Sequence, residues 1–209
     1  ADLLLTPEGA WPHDPGEPES AARARFQERW PALPPTLLGA TVGVDASATN
    51  SLLLVQDRRV TQRYDKQVLV PVAERARWGL GRDRYRPGAS SPRLAVGDLR
   101  IGALLCYEDL FSRSVREASA GAELLVSASN DAWLGGGRGS GLHYAASLRA
   151  AVEARRFVAR TTSNGVSALI DPVGRPVWRA PWVDVDWRPE TPAQGVVLQV
   201  PRLRPLWDG

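Results

Sequence analysis

Two reactive residue types occur once each in this chain. Lys66 is the only lysine among 26 Lys and Arg residues, and Cys106 is the only cysteine. Arginine stays protonated near neutral pH, whereas a lysine amine can exchange its proton. A cysteine thiolate is an intrinsically strong nucleophile that can form a covalent intermediate. The two residues therefore predict a cysteine nucleophile with a lysine partner, and a third group is needed as the base.

The position of Cys106 favours such a role. It directly follows the apolar run at residues 99–105, which is typical of a buried strand, and it precedes a predicted helix at residues 110–120. At the carboxyl end of a strand, backbone N–H groups can point at a developing oxyanion. Taken alone, however, a single cysteine after an apolar run is more often a small buried core residue.

Two further residues complete a possible site. Lys66 lies near the end of a predicted strand, where an ammonium would lower the pKa of a thiol and stabilise a tetrahedral intermediate. The alternative is a solvated surface lysine. Glu8 follows Pro7 and a run of leucines, and a partly buried carboxylate beside a thiol can act as the general base.

Strands and helices alternate along the middle of the chain, which predicts an α/β layered domain. An exposed loop is expected at residues 77–92, and turns are expected at 57–59, 97–98 and 171–174. Strands are predicted at 2–8, 41–46, 51–56, 60–64, 93–96, 99–105, 123–128, 157–161, 167–170 and 177–178, and helices at 19–30, 110–120 and 142–156.

Composition narrows the class of protein. A length of 209 residues with 44% hydrophobic and 23% charged residues predicts one globular domain over residues 1–209. The net charge of +3 comes without a dense basic run, so no nucleic-acid partner is expected. His13 and His143 lack metal-ligand spacing, and a single cysteine cannot form an internal disulfide. We therefore expect no metal, no disulfide and no cofactor. No apolar run approaches the ~18 residues that span a bilayer.

Five segments, in order between residues 7 and 167, resemble the carbon-nitrogen hydrolase (nitrilase) superfamily, and within it the apolipoprotein N-acyltransferase branch. The Glu, Lys and Cys segments carry the superfamily resemblance, while the segment after Ser129 and the tail after Lys66 favour the acyltransferase branch. The segments are Pro7-Glu8, Tyr64-Asp65-Lys66 with Leu69-Val70-Pro71 and Glu74, Cys106-Tyr107-Glu108, Ser129-Asn130-Asp131-Ala132-Trp133-Leu134-Gly135 and Thr162-Ser163-Asn164-Gly165-Val166-Ser167.

The resemblance implies a nitrilase-like α-β-β-α sandwich and a catalytic triad. Glu8 would be the base, Lys66 the stabiliser of the oxyanion and Cys106 the nucleophile. The remaining implied roles are support by Glu74 and Glu108 and an oxyanion-hole N–H from Tyr107. Asn130 and Trp133 are candidates for substrate or lipid contact, and so is Trp78, because tryptophan favours the headgroup region of a membrane. Ordinary surface or helix-capping acids are the alternative for the two supporting glutamates.

The implied reaction moves a fatty acyl chain from a phospholipid, through a Cys106 thioester, to the N-terminal amine of a diacylglyceryl-cysteine lipoprotein. The implied location is the extracytoplasmic face of the bacterial inner membrane. Since the chain starts inside the strand that carries Glu8, we expect the family's first strand and helix, and its membrane segments, to lie outside this chain in a longer membrane protein.

Two other functions fit the same residues. One is a soluble amidase or nitrilase that uses the same triad and passes the acyl group to water. The other is a catalytically degenerate domain that binds lipid or a protein partner. A glycine-rich stretch at residues 135–141 would act as a flexible lid or would be a tolerated surface insertion.

Overall fold

The computed structural model describes residues 2–11, 33–43, 48–76, 78, 80–81, 83–134 and 137–180. The strands are β1 Leu4–Leu5, β2 Thr36–Val42, β3 Thr49–Gln56, β4 Arg59–Asp65, β5 Arg93–Val96, β6 Leu99–Leu105, β7 Leu124–Ser129, β8 Phe157–Thr162, β9 Ala168–Ile170 and β10 Pro176–Arg179. The helices are α1 Ser112–Ser119 and α2 Arg138–Ala154, with 3-10 turns at Cys106–Leu110 and Ala132–Leu134. The helix predicted at residues 19–30 lies outside the described residues.

Within the described residues the strands form two sheets. The first has the order β1-β2-β3-β4 and the second the order β10-β9-β8-β7-β6-β5. In the second sheet, β6, β7 and β8 run parallel to one another. Because parallel strands end at the same edge, the residues that follow β6 and β7 come close together there.

The two sheets stack face to face, and their inner faces form the main core. Strand β3 carries the apolar run Leu52-Leu53-Leu54-Val55, and its side chains are buried on both faces of the first sheet. Such a run is typical of a strand covered on both sides. From β3, Leu52 and Leu54 join Ile101, Leu105 and Val126 of the second sheet in one cluster.

The outer face of the second sheet is covered by α1 and α2. Val115 and Ala118 lie three residues apart on α1 and are fully buried against the sheet, together with Ala150 and Ala151 of α2. Spacing of this kind places apolar residues on one face of a helix. Among the described residues, no helix combines the length and the apolar character needed to cross a membrane.

Two strand predictions are wrong in their bounds, and the first is the strand predicted at residues 2–8, which is only Leu4–Leu5, so that Glu8 lies beyond it. The predicted strand at residues 41–46 is instead β2, Thr36–Val42. Its interior contains Gly39, a residue that strands disfavour. The structure explains it, because a Cβ at Gly39 would lie 2.0 Å from Pro7 O and 2.9 Å from the Cα of Glu8. The strand accepts a glycine so that the backbone carrying Glu8 can pack against it.

Both described helices also differ from their predicted bounds. A 3-10 turn occupies Cys106–Leu110, so α1 starts two residues later than predicted. Helix α2 begins at Arg138, one turn earlier than predicted, and ends before Arg155, which has a φ of 52°. The second half of the glycine-rich stretch is therefore helical. The predicted hairpin around Gly97 and the exposed loop are confirmed where that region is described.

Candidate active site

The three predicted triad residues each follow the end of a strand. Glu8 comes after β1 and Lys66 after β4, both in the first sheet, while Cys106 comes directly after β6 in the second sheet. Their exposed fractions are 8% for Glu8, 1% for Lys66 and 2% for Cys106. The stacked sheets thus bring a carboxylate, an ammonium and a thiol to one buried centre.

The ammonium of Lys66 contacts two carboxylates. Its Nζ lies 2.9 Å from Glu8 Oε1 and 2.9 Å from Glu74 Oε1. Burial alone would lower the pKa of Lys66, but the carboxylate charges of Glu8 and Glu74 contribute to raising its pKa above the ordinary value. Lys66 therefore stays a cation near neutral pH, and its compact charge suits the stabilisation of an anion better than the transfer of a proton.

Asn50 holds the same two carboxylates and was not recognised in the sequence. Its Nδ2 donates to Glu8 Oε1 at 2.6 Å and to Glu74 Oε1 at 3.0 Å. The backbone of Asn50 also accepts from the N–H of Lys66 at 2.8 Å. A polar residue at the head of the apolar run of β3 was the signal available for it.

The second oxygen of Glu8 has its own donor. The backbone N–H of Asn130 lies 2.9 Å from Glu8 Oε2. The Asn130 side chain is held separately, because its Oδ1 accepts from Ser163 Oγ at 2.9 Å and from the N–H of Ala132 at 3.1 Å. Asn130 thus adjoins the candidate base, and its predicted substrate contact stays a prediction.

Glu74 is built into the site by backbone contacts. Its Oε2 accepts from the N–H of Val70 at 2.8 Å, and its carbonyl accepts from the N–H groups of Arg84 and Tyr85 at 3.0 and 3.2 Å. A further bond joins the N–H of Gly88 to Lys66 O at 2.8 Å. The exposed loop after Glu74 therefore returns to the site and fixes the segment from Lys66 to Glu74.

The Cys106 thiol is a neutral group at rest. Burial and the negative charge of Glu8 raise the pKa of Cys106 to about 12, although Lys66 and a hydrogen bond with Ser129 lower it. The effect expected of Lys66 thus has the predicted sign but is outweighed. Since the charge of Glu8 acts directly on the thiol, the carboxylate is placed to take the proton as the sulfur attacks.

Glu108 is fully buried and clamps two strand ends together. Its Oε1 accepts from the N–H of Gln67 at 2.7 Å and of Val68 at 3.1 Å, and its Oε2 accepts from the N–H of Leu105 at 2.8 Å. The hydroxyl of Tyr64 donates to both oxygens, at 2.8 and 2.9 Å. Glu108 therefore orients the backbone beside Lys66 and Cys106 and does not touch the Lys66 amine.

Tyr107 lies in the first turn of the short helix that begins at Cys106. Backbone N–H groups in a first helical turn have no acceptor within the helix, which is compatible with the predicted oxyanion role. The ring of Tyr107 packs edge-on against Phe111 with centroids 4.9 Å apart.

The two tryptophans predicted to meet lipid lie at the surface. Trp78 is 79% exposed in the loop after Glu74, and Trp133 is 54% exposed in the 3-10 turn after Asn130. In the sequence, Trp78 follows Glu74, which contacts Lys66, and Trp133 follows Asn130, which contacts Glu8.

A group of buried charged side chains beyond the triad was also missed. It comprises Asp109, Asp131, His143 and Arg160, and His143 contacts the Cys106 carbonyl. Asp131 is part of the segment used for the resemblance, and His143 is one of two histidines in the chain. Only the fold shows that these residues meet.

The chain is similar to known proteins in sequence. A profile of the carbon-nitrogen hydrolase family matches residues 29–186. Lys66 and Cys106 lie inside this range, and Glu8 lies before it. The apolipoprotein N-acyltransferase of Gloeobacter violaceus is 34% identical over 191 residues, covering 84% of this chain and 36% of that protein. That of Nostoc is 33% identical over 197 residues, covering 85% and 37%. The chain thus spans little more than a third of these relatives' length.

Solved structures share the fold. An amidase of the nitrilase superfamily from Nesterenkonia superposes with a TM-score of 0.63 at 23% identity, covering 86% of this chain and 73% of that chain. Nit3 of Saccharomyces cerevisiae, also of the nitrilase superfamily, gives 0.65 at 17% identity, covering 86% and 72%. The predicted α-β-β-α class is confirmed, and this chain belongs to the carbon-nitrogen hydrolase family.

Proposed function

We propose that the chain is the catalytic domain of an apolipoprotein N-acyltransferase, in which Glu8, Lys66 and Cys106 act as base, oxyanion stabiliser and nucleophile. The observation that carries this proposal is the convergence of these three side chains, from two different sheets, at one buried centre. The names of the relatives support the choice of reaction.

The first half-reaction forms a thioester. Glu8 takes the Cys106 proton as the sulfur attacks the ester carbonyl of a phospholipid acyl chain, and the Lys66 ammonium stabilises the oxyanion. Glu8 then returns the proton to the departing alkoxide, so a lysophospholipid leaves and the acyl group remains on Cys106. A resting thiol with a pKa of about 12 makes the contact with Glu8 necessary for this step.

The second half-reaction moves the acyl group to an amine. The N-terminal amine of a diacylglyceryl-cysteine lipoprotein attacks the thioester and Glu8 accepts its proton. The C–S bond then breaks, and Glu8 returns the proton to the departing Cys106 thiolate. The burial of Cys106 and Lys66 limits the access of water and strengthens the charge interactions at the carbonyl. Both conditions favour an acceptor that is bound next to the thioester over hydrolysis.

The proposed setting is the extracytoplasmic face of the bacterial inner membrane. Residues 1–209 would form one domain of a longer membrane protein, because the relatives are about three times as long as the matched part. Trp78 and Trp133 would contact lipid there, since tryptophan favours the interface between hydrocarbon and water. A Trp78→Ala variant should bind anionic vesicles more weakly, and unchanged binding would contradict this contact.

Intact mass measurement tests the acyl transfer. After incubation with phospholipid vesicles, we expect the chain to gain the mass of one acyl group and the Cys106→Ala variant to gain none. Adding a peptide that begins with diacylglyceryl-cysteine should discharge the adduct and lengthen the peptide by the same mass. A wild-type chain that gains no acyl group from vesicles would overturn the proposal.

A hydrolase is the second candidate, because the solved structures of similar fold include an amidase. In one of them, a variant of the Nesterenkonia enzyme, the acetamide moiety of fluoroacetamide is attached to the active site cysteine. Release of ammonia from simple amides in the absence of lipid, with loss in Cys106→Ala, would favour this reading. Peptide acylation without ammonia release would favour the transferase.

A further inference from the structure

Four buried charged side chains pack behind the Cys106 backbone and take no part in the proposed reaction. They come from separate elements: Asp109 from the 3-10 turn after β6, Asp131 from the end of β7, His143 from α2 and Arg160 from β8. As two carboxylates, a guanidinium and an imidazolium they have no net charge. A group of this kind is costly to bury unless every member is paired.

His143 is the member that reaches Cys106. Its Nε2 lies 3.0 Å from Cys106 O and 3.1 Å from Asp109 Oδ1, and its Nδ1 lies 2.8 Å from Asp131 Oδ1. A carbonyl and two carboxylates can only accept hydrogen bonds. Both ring nitrogens must therefore carry protons, and His143 is an imidazolium in this arrangement.

The other charged groups hold this state. Arg160 binds Asp131 Oδ2 at 2.6 Å and Asp109 Oδ2 at 3.4 Å, so each carboxylate lies between two cations. Burial would lower the pKa of His143, but the nearby carboxylates of Asp109 and Asp131 outweigh burial and raise its pKa to about 9, while Arg160 opposes them. His143 thus remains charged at the pH at which the proposed reaction would run.

The carbonyl that His143 holds belongs to a residue in an uncommon conformation. Cys106 has a φ of 50°, in the left-handed region that a residue with a side chain rarely occupies. Such a conformation persists only where its surroundings fix it. Glu108 and Asp109 fix the later residues of the turn that begins at Cys106, while the Cys106 carbonyl itself is held by His143.

We propose that the His143 imidazolium is a positioning residue: it holds the Cys106 carbonyl, and thereby the left-handed backbone that directs the thiol toward Glu8. Ser129 extends the same group, since its Oγ donates to Asp131 Oδ1. This inference rests on the proposed function only in taking Cys106 as the nucleophile.

Two substitutions test the hydrogen bonds of the two His143 ring nitrogens separately. In His143→Gln the amide nitrogen takes the place of Nε2 and can still donate to the Cys106 carbonyl. In His143→Asn the amide nitrogen takes the place of Nδ1 and can donate only to Asp131. Since Cys106 is the only cysteine, the rate of alkylation by fluoroacetamide or iodoacetamide reports on this thiol alone and needs neither lipid nor acceptor.

We expect the alkylation rate of His143→Gln to stay within about threefold of wild type and that of His143→Asn to fall by about tenfold or more, at similar melting temperatures. Equal rates in the two variants, or rates that follow only their melting temperatures, would overturn the inference. If the proposed acyl transfer fails in wild type while the two alkylation rates still differ, the function is wrong and the positioning role stands.

If neither His143 variant folds, the inference can still be tested by measuring the protonation of the His143 ring itself. The chain has two histidines, so nitrogen NMR of the His13→Ala variant shows His143 alone. We expect both ring nitrogens to be protonated at pH 7.5. A neutral ring at that pH would overturn the inference, because its second nitrogen would then face an acceptor without a proton.

Discussion

The backbone N–H of Asn130 donates a hydrogen bond of 2.9 Å to Oε2 of Glu8, a residue 122 positions earlier in the chain. Asn130 directly follows a strand of the second sheet, and Glu8 follows a strand of the first. The bond therefore joins the two sheets at the candidate base. With Lys66 and Asn50 holding Oε1, the carboxylate has one orientation, and its position relative to the thiol depends on both sheets.

Replacing Glu8 by glutamine should separate proton transfer from thiol acidity. We expect Glu8→Gln to lower the rate of acyl-enzyme formation by about 100-fold or more, because the amide cannot accept the Cys106 proton. The same change should lower the pKa of Cys106, since the Glu8 charge raises it. The pH dependence of alkylation measures the second effect. Glu117→Gln, on the surface of α1, is a matched control, and a midpoint equal to wild type in Glu8→Gln would contradict this account.

Removing the ammonium should move thiol acidity in the other direction. Lys66→Met is expected to raise the pKa of Cys106, because Lys66 lowers it in the wild type. It also leaves Glu8 and Glu74 without their shared cation, which should cost roughly 3–5 kcal/mol of unfolding free energy. Alkylation across pH and urea denaturation check the two effects. A lower alkylation midpoint in this variant would show that the sign is wrong.

Gly39→Ala should disable the site from a distance in the sequence. A Cβ there would lie 2.0 Å from Pro7 O, so the backbone that carries Glu8 must shift. We expect an activity loss of about 100-fold, the size of effect that a displacement of ~1 Å produces in a catalytic group. Gly141→Ala is the control, because nothing lies within 4 Å of the added Cβ on α2, and it should stabilise the chain by about 0.5–1 kcal/mol. Unchanged activity in Gly39→Ala would refute the close approach.

Substituting Glu108 should loosen the segments on both sides of the site. In Glu108→Gln an NH₂ group replaces one oxygen that accepts hydrogen bonds from backbone N–H groups. A buried donor facing donors costs about 1–3 kcal/mol, so we expect that loss of unfolding free energy and faster amide exchange at Gln67 and Leu105. Exchange rates that stay at wild-type values would argue against a clamp.

Stability should fall in alkaline solution because of His143. Its pKa is raised on folding from 6.5 to about 9, so its contribution is complete below pH 6.5 and is lost as the pH rises through 9. The expected decrease in unfolding free energy is about 3 kcal/mol. Urea titrations of wild type at pH 6 and pH 10 should show it, and His143→Gln should lack most of it. The His13→Gln variant gives the background of the other histidine, and an equal decrease in both variants would contradict the assignment.

The sequence predicts the fold class and most strands because apolar runs and turn residues are local signals. Runs such as that of β3 and the Gly97 hairpin are found within a residue or two of their observed ends. The misplaced bounds of β2 have a non-local cause, since Gly39 is accepted in a strand only because Pro7 approaches it. A contact between residues so far apart leaves no periodic pattern.

The residues of the candidate site also fall into two groups, those that the sequence indicates and those that only the fold reveals. Lys66 and Cys106 stand out by rarity, Glu8 is found by its position after a run of leucines, and Glu74 and Glu108 follow from the resemblance. Their partners do not stand out. Asn50 and His143 are ordinary polar residues in the sequence, and only the fold shows that one binds two carboxylates and the other binds the Cys106 carbonyl.

The reactive groups are divided between the sheets, with the carboxylate and the ammonium on one and the sulfur on the other. Activity should therefore depend on the two sheets being packed together. If the two layers part by even a small slide under mild denaturant, the proton acceptor leaves the thiol while each layer keeps its own strands paired. Loss of turnover would then precede loss of circular dichroism on the denaturant axis, and the gap between the two midpoints would measure how independently the layers come apart.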